Sequence, residues 1–154
     1  MKRDLDQTDR RILAELQRNG RLTHQELSER VGLSPTPCAR RVHNLETAGY
    51  INGYSARIDE EKMGFGLTAF LSVKLDQQID DRLVSFEKAL AACPEVVDCW
   101  LMTGTRDYLL RVAVSSMEEF ERFLTGRLTK VPGVASIESS LAVRRVKGQM
   151  SRLG

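Results

Sequence analysis

Two prolines and a pair of arginines lie close together in GLSPTPCARRVHNLE, residues 32–46. Ser34 is a residue type that caps helices, and a proline next to it suits the first helical position, whose amide has no partner in any case. Pro37 still falls within the first turn, where proline is tolerated. The segment is therefore predicted to be a helix with a rigid start and with cations one turn behind it.

The spacing of its residues gives this helix two faces. At about 100° per residue, three residues form an inward stripe: Cys38, Val42 and Leu45. The opposite face is polar and holds four residues: Thr36, Arg40, His43 and Thr47. Asn44 lies beside this face and Arg41 on its flank. Small hydrogen-bonding groups followed by arginine suit the major groove of DNA, because arginine binds guanine or a phosphate oxygen and a helix start favours phosphate.

The predicted DNA-binding residues are Ser34, Thr36, Pro37, Arg40, Arg41, His43 and Asn44. The alternative is a solvated helix face whose arginines pair with Glu46 or Glu29. Two short helices predicted upstream favour DNA binding, since a recognition helix usually follows such a pair. The first has apolar residues at helical spacing before Asn19-Gly20. The second opens with a capping box from Thr23 to Glu26 and ends at Gly32.

A winged unit and a domain boundary are predicted after this helix. Asn52-Gly53 favours a tight hairpin turn, and residues 55–59 are expected to form a strand, from which Arg57 could contact phosphate. An exposed linker arginine is the alternative for Arg57. The charged, glycine-interrupted segment that follows marks the boundary. The predicted domains are residues 1–60 for DNA binding and 61–154 for effector binding and oligomerisation.

The segment LSPTPCARRVHNLETAGYINGYSARID, residues 33–59, resembles the DNA-binding segment of the Lrp/AsnC transcription regulators, the leucine-responsive or feast/famine family. The S-P-T-P-C opening, the R-V-x-x-L-E core and the G-Y-I-x-G-Y ending carry the resemblance in one register. It implies a regulator that binds double-stranded DNA at a pseudo-palindromic operator. It also implies an amino acid or related metabolite as effector, bound where dimers meet.

The rest of the chain repeats a strand–helix–strand pattern. An apolar alternation at Leu71, Val73 and Leu75 recurs at residues 110, 112 and 114, and each run precedes an amphipathic helix that ends at Pro94 or Pro132. A second capping box is predicted at residues 116–119. A strand follows each helix, over residues 97–102 and 135–143. The duplication predicts an α+β fold, in which a winged helix-turn-helix is joined to a βαββαβ ferredoxin-like sandwich with helices on one side of its sheet.

The side of this sheet that carries no helices is also expected to be apolar, so it should be buried against another surface. We expect apolar side chains on both of its faces from one set of residues: Leu71, Val73, Leu75, Cys99, Leu101 and residues 141–143. Because apolar patches of that size usually mark interfaces, a sheet-to-sheet homodimer is predicted, with further assembly to a tetramer or octamer implied by the resemblance. The alternative is that the wing or the C-terminal tail folds back over the sheet.

The segment M-T-G-T-R-D-Y, residues 102–108, joins the two central strand predictions. A plain hairpin turn explains its glycine and aspartate. The family resemblance instead implies an effector site, because T-G-x-x-D-Y is where such regulators bind amino acids. The predicted effector-binding residues are Trp100, Thr103, Gly104, Thr105, Arg106, Asp107 and Tyr108. Asp107 could hold an ammonium group, Arg106 and Thr103 polar groups, and the two aromatic residues an apolar side chain.

Other functions find little support in the composition. The only histidines are His24 and His43, both outside the sandwich, which holds no evident nucleophile–base set, so an enzyme is not expected. Three cysteines without a ligand pattern predict neither a disulfide framework nor a metal site, and no cofactor is predicted. The absence of a long apolar run or export signal predicts a cytoplasmic protein. A nucleoid-organising DNA-binding protein without effector response remains the alternative function.

Overall fold

The computed structural model of the chain describes residues 4–148 and 150–153, which divide into two units. The first unit comprises the residues up to Arg57 together with those from Lys147 onward. Its helices are α1 (Gln7–Arg18), α2 (His24–Val31) and α3 (Pro35–Thr47). Their apolar stripes meet in one core: Ile12, Leu27, Val31, Cys38, Val42 and Leu45. The three predicted helices and the inward stripe of the third are confirmed.

The helix ends follow the sequence signals closely. In α2, the Thr23 side chain accepts the Glu26 amide and the Glu26 carboxylate accepts the Thr23 amide, which confirms the capping box. Gly32 ends α2 with a φ of 72°, a left-handed conformation that glycine adopts without steric cost. Ser34 is the N-cap of α3 as predicted, although its hydroxyl makes no capping hydrogen bond.

The hairpin and strand predicted after α3 are not assigned in the structure. Among the described residues between α3 and Gly66, none is assigned to a strand, so neither the hairpin around Asn52-Gly53 nor the strand over residues 55–59 forms. Nearly all side chains of this segment are exposed, and a two-stranded hairpin that buries no apolar face is marginal in water. Tyr54 instead donates its hydroxyl to Glu46 Oε1 of α3 at 2.8 Å.

The second unit spans Ile58–Val146 and has the predicted βαββαβ order. Its elements are β1 (Leu67–Leu75), α4 (Asp80–Ala91), β2 (Val96–Leu101), β3 (Tyr108–Val114), α5 (Met117–Gly126), a short 3₁₀ helix (Leu128–Lys130) and β4 (Val134–Leu141). The antiparallel sheet has the strand order β2-β3-β1-β4, so β2 and β4 are its edges. The predicted second capping box is only half formed. Ser116 accepts the Glu119 amide, but Glu119 accepts from the amide and hydroxyl of Ser115.

One face of the sheet is covered by α4 and α5. Phe86 of α4 and Phe120 and Phe123 of α5 share a core with the inward residues of β1 and β3. That core includes Leu71, Val73 and Leu75, all nearly inaccessible to solvent. Along β1, Phe70, Ser72 and Lys74 point to the opposite side, because successive side chains in a strand alternate. This opposite side is here called the open face.

The apolar residues predicted to occupy both faces occupy only one. Leu71, Val73 and Leu75 are two residues apart and share the helix side, and the strand register places Cys99, Leu101 and Leu141 on that side as well. Leu101 and Leu141 stay exposed because they lie on the edge strands. The apolar residues of the open face are instead Phe70, Leu109 and Trp100. The open face thus carries a few apolar residues other than those predicted, and they lie among polar ones such as Ser72 and Lys74.

Candidate functional sites in α3 and the β2–β3 turn

The polar face of α3 is exposed as predicted, with Thr36, Arg40 and His43 all accessible to solvent. The Arg40 guanidinium makes no hydrogen bond or ion pair with any other residue that the structure describes. Arg40 is therefore a cation one turn from a helix start with no partner in the described part of the chain. The pairing with Glu46 or Glu29 that the alternative invoked is not seen for Arg40 among the described residues, and a solvated guanidinium stays the alternative to DNA contact.

The prolines also limit the number of amide donors at the start of α3. Pro35 and Pro37 carry no amide proton, and the Cys38 amide donates to the Ser34 carbonyl at 3.2 Å. Within residues 35–38, only Thr36 offers a free amide together with a hydroxyl. The Ser34 side chain does not cap that amide. A phosphate oxygen placed at this helix start could therefore accept from one backbone amide rather than from several.

Arg41 differs from Arg40 in being engaged within the unit. Its Nη1 atom lies 2.7 Å from Asp6 Oδ2 and 2.8 Å from Asp9 Oδ1, which ties α3 to the start of α1. The pKa of Asp6 is lowered, first by the Asp9 amide and then by Arg41, while the pKa of Arg41 is raised, first by Asp6 and then by Asp9. DNA contact by Arg41 stays a prediction that these contacts do not support. Sequence analysis missed both acids as its partners.

Pro37 and Asn44 are half-buried beside the polar face of α3. Thr47 donates its hydroxyl to the His43 carbonyl at 2.8 Å, and the His43 residue is exposed. The structure thus brings Thr36, Arg40 and His43 together on one exposed surface, with Ser34 at its leading end. Their contact with DNA stays a prediction.

The turn between β2 and β3 presents Thr103, Gly104 and Thr105 to solvent. Gly104 has a φ of 104°, which residues with a side chain rarely adopt, so the turn requires glycine here. Arg106 extends from the turn toward β4. Its Nη1 donates to Ser136 Oγ at 2.7 Å and its Nη2 to Glu138 Oε2 at 2.9 Å. Lys74 of β1 donates to the Thr105 carbonyl at 3.1 Å.

Asp107 and Tyr108 point into the fold rather than toward a ligand. Asp107 is 3% exposed, and its carboxylate accepts the Leu75 amide at 2.6 Å and the side-chain amide of Gln78. Tyr108 stacks on Phe86 and donates its hydroxyl to Glu87 Oε1 at 2.7 Å, and burial followed by this hydrogen bond raises its pKa. An ammonium-holding Asp107 and a ligand-contacting Tyr108 stay predictions that this geometry does not favour.

Trp100 is 43% exposed and lies on the open face beside Leu109.

Among the described residues, no cluster of three His, Cys, Asp or Glu side chains could hold a metal ion. In the same part of the chain, no helix has the length and apolar character required to cross a membrane. The two candidate sites are therefore the polar face of α3 and the surroundings of the β2–β3 turn.

Comparison with known proteins matches each part of the chain to a protein family. Residues 5–52, which include α1 to α3, match a winged helix-turn-helix DNA-binding family, and residues 68–151 match the Lrp/AsnC ligand binding domain family. The chain is 45% identical over 143 residues to the Bkd operon transcriptional regulator of Pseudomonas aeruginosa, with 93% of this chain and 94% of that protein covered. The chain belongs to the Lrp/AsnC family of transcription regulators.

Other Lrp/AsnC proteins agree over nearly the whole length. The leucine-responsive regulatory protein of Escherichia coli is 39% identical over 151 residues, covering 98% of this chain and 92% of that protein. The crystal structure of a transcriptional regulator from Neisseria meningitidis in complex with L-Met has a TM-score of 0.91 and 40% identity, covering 97% of this chain and 96% of that one. As Lrp/AsnC proteins are transcription regulators rather than enzymes, this chain acts by binding DNA and ligand.

Proposed function

We propose that this regulator reads a pseudo-palindromic operator with two copies of α3, one from each subunit of a homodimer, and responds to an amino acid bound near the β2–β3 turn. The observation that carries the DNA part is Arg40, an exposed guanidinium without a described partner one turn from the start of α3. Thr36 and His43 extend the same surface. Arg41 is omitted because its guanidinium is bound to Asp6 and Asp9.

The dimer part rests on the open face of the second unit. Phe70, Leu109 and Trp100 lie on that face, where Phe70 and Trp100 are 36% and 43% exposed. Apolar surface of this kind on a sheet usually marks a subunit interface. A second copy seated on it would present two recognition helices, so that two half-sites spaced by about one helical turn are read together. Tetramers or octamers of such dimers, bound to chromosomal DNA in the cytoplasm, complete the proposal.

The effector part rests on similarity and on charge. The Neisseria meningitidis regulator, 40% identical, is a complex with L-Met, and the Escherichia coli relative is named for its response to leucine. The turn in this chain lies within the segment that matches the ligand binding domain. Arg106, the half-exposed cation of this turn that pairs with Glu138, carries the charge that suits the carboxylate of an amino acid. A ligand that binds two assembly states unequally shifts operator occupancy.

The DNA part is tested by selecting bound sequences from random duplex DNA and measuring affinity for the selected operator by fluorescence anisotropy over a range of salt concentrations. Arg40→Ala should weaken binding by about 5- to 150-fold if Arg40 contacts a base, and should lower the salt slope by about one if it contacts a phosphate. Arg122→Ala is the matched control, because Arg122 is an exposed arginine of α5 that pairs only with Glu118 among the described residues.

Equal affinities and salt slopes for the wild type and Arg40→Ala would remove α3 as the reading element. The effector part is tested separately by calorimetry with the twenty amino acids. Heat from none of them would favour the alternative of a DNA-organising protein without effector response, for which the buried, fully engaged Asp107 carboxylate is the favouring observation. The two experiments are independent, so either part can fail alone.

A further inference from the structure

The polypeptide passes between the two units twice. It leaves the first unit after Arg57 and returns to it at Lys147. The last residues before the first passage, 55–57, are exposed and make no hydrogen bond with any other residue that the structure describes. The reach of the DNA-binding unit therefore depends on where the chain beside each passage is next attached to that unit.

Tyr54 attaches the outgoing chain. Its hydroxyl donates to Glu46 Oε1 of α3 at 2.8 Å. A Cβ atom placed on Gly20 would lie 3.3 Å from Tyr54 Cδ1, so the ring lies close against the turn between α1 and α2. Burial, followed by the hydrogen bond to Glu46, raises the pKa of Tyr54 to about 12, so the hydroxyl keeps its proton at neutral pH. One side chain thus joins the outgoing chain to α3 and to the turn ahead of α2.

Gln17 of α1 attaches the returning chain. Its side-chain amide donates to the Ser151 carbonyl at 3.1 Å and accepts the Ser151 amide at 2.9 Å. Arg10 adds a hydrogen bond to the Leu153 carbonyl at 2.6 Å. Tyr54, Ser151 and Leu153 line one cavity of about 270 Å³. The two attachments therefore lie next to each other on the first unit.

The attachments keep both connecting segments short. Tyr54 is four residues before Ile58, where the second unit begins, so this segment spans about 14 Å at most. Without Tyr54, the nearest attachment is Ile51, which packs against the core of the first unit, and the segment spans up to about 25 Å. Release of Tyr54 thus adds about 10 Å of reach, which corresponds to about three base pairs of DNA.

We propose that Tyr54 and Gln17 are positioning residues for operator recognition, which set the half-site spacing that paired α3 helices read. A unit attached at one point turns about any axis, whereas a unit attached at two points turns mainly about the line that joins them. Short segments also raise the effective concentration of the second α3 at a half-site within reach and lower it at half-sites beyond reach. The inference rests on the DNA part of the proposed function.

The test measures spacing preference with the full-length protein. The operator selected from random duplex DNA is compared with operators whose half-sites are unchanged but lie one, two or three base pairs further apart. Fluorescence anisotropy gives the affinity for each, and the readout is the ratio between the selected spacing and the spacing longer by three base pairs. Partial unfolding of a variant lowers all of its affinities alike, so this ratio reports on positioning and not on stability.

The wild type has to release Tyr54 to reach the longer operator, so its ratio includes the free energy of that attachment. Tyr54→Phe, which removes only the hydrogen bond, should lower the ratio by about two- to tenfold, and Tyr54→Ala should lower it further. Glu46→Ala should match Tyr54→Phe, and the combination of the two should have no additional effect. Glu46→Gln keeps an acceptor and should retain the wild-type ratio.

Gln17→Ala tests the second attachment in the same assay. It removes both hydrogen bonds to Ser151 and should lower the ratio by about two- to tenfold, and its combination with Tyr54→Ala should give the weakest spacing preference of all. Gln77→Ala is the matched control, because Gln77 is an exposed glutamine of the second unit, and it should keep the wild-type ratio.

Ratios within twofold of the wild type in Tyr54→Ala, Gln17→Ala and their combination would overturn the positioning role and leave the proposed function standing. Affinity lost equally at every spacing would also overturn it, since that pattern indicates only a general loss of folded protein. A wild type that binds all spacings equally would overturn both the positioning role and the paired reading of half-sites. The Arg40→Ala comparison would still show separately whether α3 contacts DNA.

Discussion

Replacing Asp107 by alanine should destabilise the ligand-binding unit strongly, although the residue lies in the T-G-x-x-D-Y segment. Its carboxylate is 3% exposed and accepts two hydrogen bonds, from the Leu75 amide at 2.6 Å and from the Gln78 side chain. A hydrogen bond to a charged group contributes about 1.5–3 kcal/mol, and a buried amide left without an acceptor costs about 1–3 kcal/mol. Because Gln78 is able to turn toward water, we expect a loss of about 3 kcal/mol in the free energy of unfolding.

The assay is urea unfolding followed by the fluorescence of Trp100, which lies in β2 and reports on this unit. For a unit of this size, a urea dependence of about 1 kcal/mol per molar turns that loss into a fall of about 3 M in the midpoint. Asp107→Asn keeps an acceptor for the Leu75 amide, so about 1 kcal/mol is expected. Glu121→Ala on the exposed side of α5 is the control. A midpoint for Asp107→Ala within about 0.5 M of the wild type, about one sixth of the expected shift, would refute the structural role.

Two further substitutions each test one ion pair, Arg41 with Asp9 in the first unit and Arg111 with Glu60 in the second. Arg41→Ala removes the cation beside the buried Asp9 and should lower the stability of the first unit by about 2 kcal/mol, measured by thermal unfolding, with Arg40→Ala as a control that leaves stability unchanged. In the second unit, the hydrogen bond from Arg111 lowers the pKa of Glu60, so the stabilisation is complete above the ordinary carboxyl pKa near 4.5 and is lost as the pH falls through the lowered value. Glu60→Gln should therefore flatten the fall in melting temperature between about pH 5 and pH 3; an unchanged slope would contradict the pairing.

The helices and the repeated strand–helix–strand pattern could be predicted because their signals are local. Thr23 and Glu26 lie within one turn of each other, and the apolar periods of α3 and β1 are read directly from the sequence. The wing was predicted from Asn52-Gly53 alone, but a turn signal does not supply the apolar face that a hairpin must bury. Local sequence patterns therefore predicted the helices and the repeated strands correctly. They did not predict the absence of the hairpin, because the stability of a hairpin depends on the apolar surface that it buries.

The candidate sites were predicted less well, because side-chain partners are distant in sequence. Arg41 pairs with acids 32 and 35 residues away, and Arg106 reaches Ser136 and Glu138 across β1. No spacing rule reveals such pairs. Likewise, the motif that contains Asp107 does not show which way its carboxylate points; its hydrogen bonds with the Leu75 amide and the Gln78 side chain do.

The helix-turn-helix unit is built from two distant parts of the polypeptide. Gln17 of α1 exchanges two hydrogen bonds with the backbone of Ser151, and Arg10 donates to the Leu153 carbonyl, contacts separated by 134 and 143 residues. During translation, α1 leaves the ribosome long before these partners exist. A polypeptide interrupted after Val146 would lack these hydrogen bonds. We therefore expect incomplete chains to hold α1 less firmly and to be degraded more readily than the full chain.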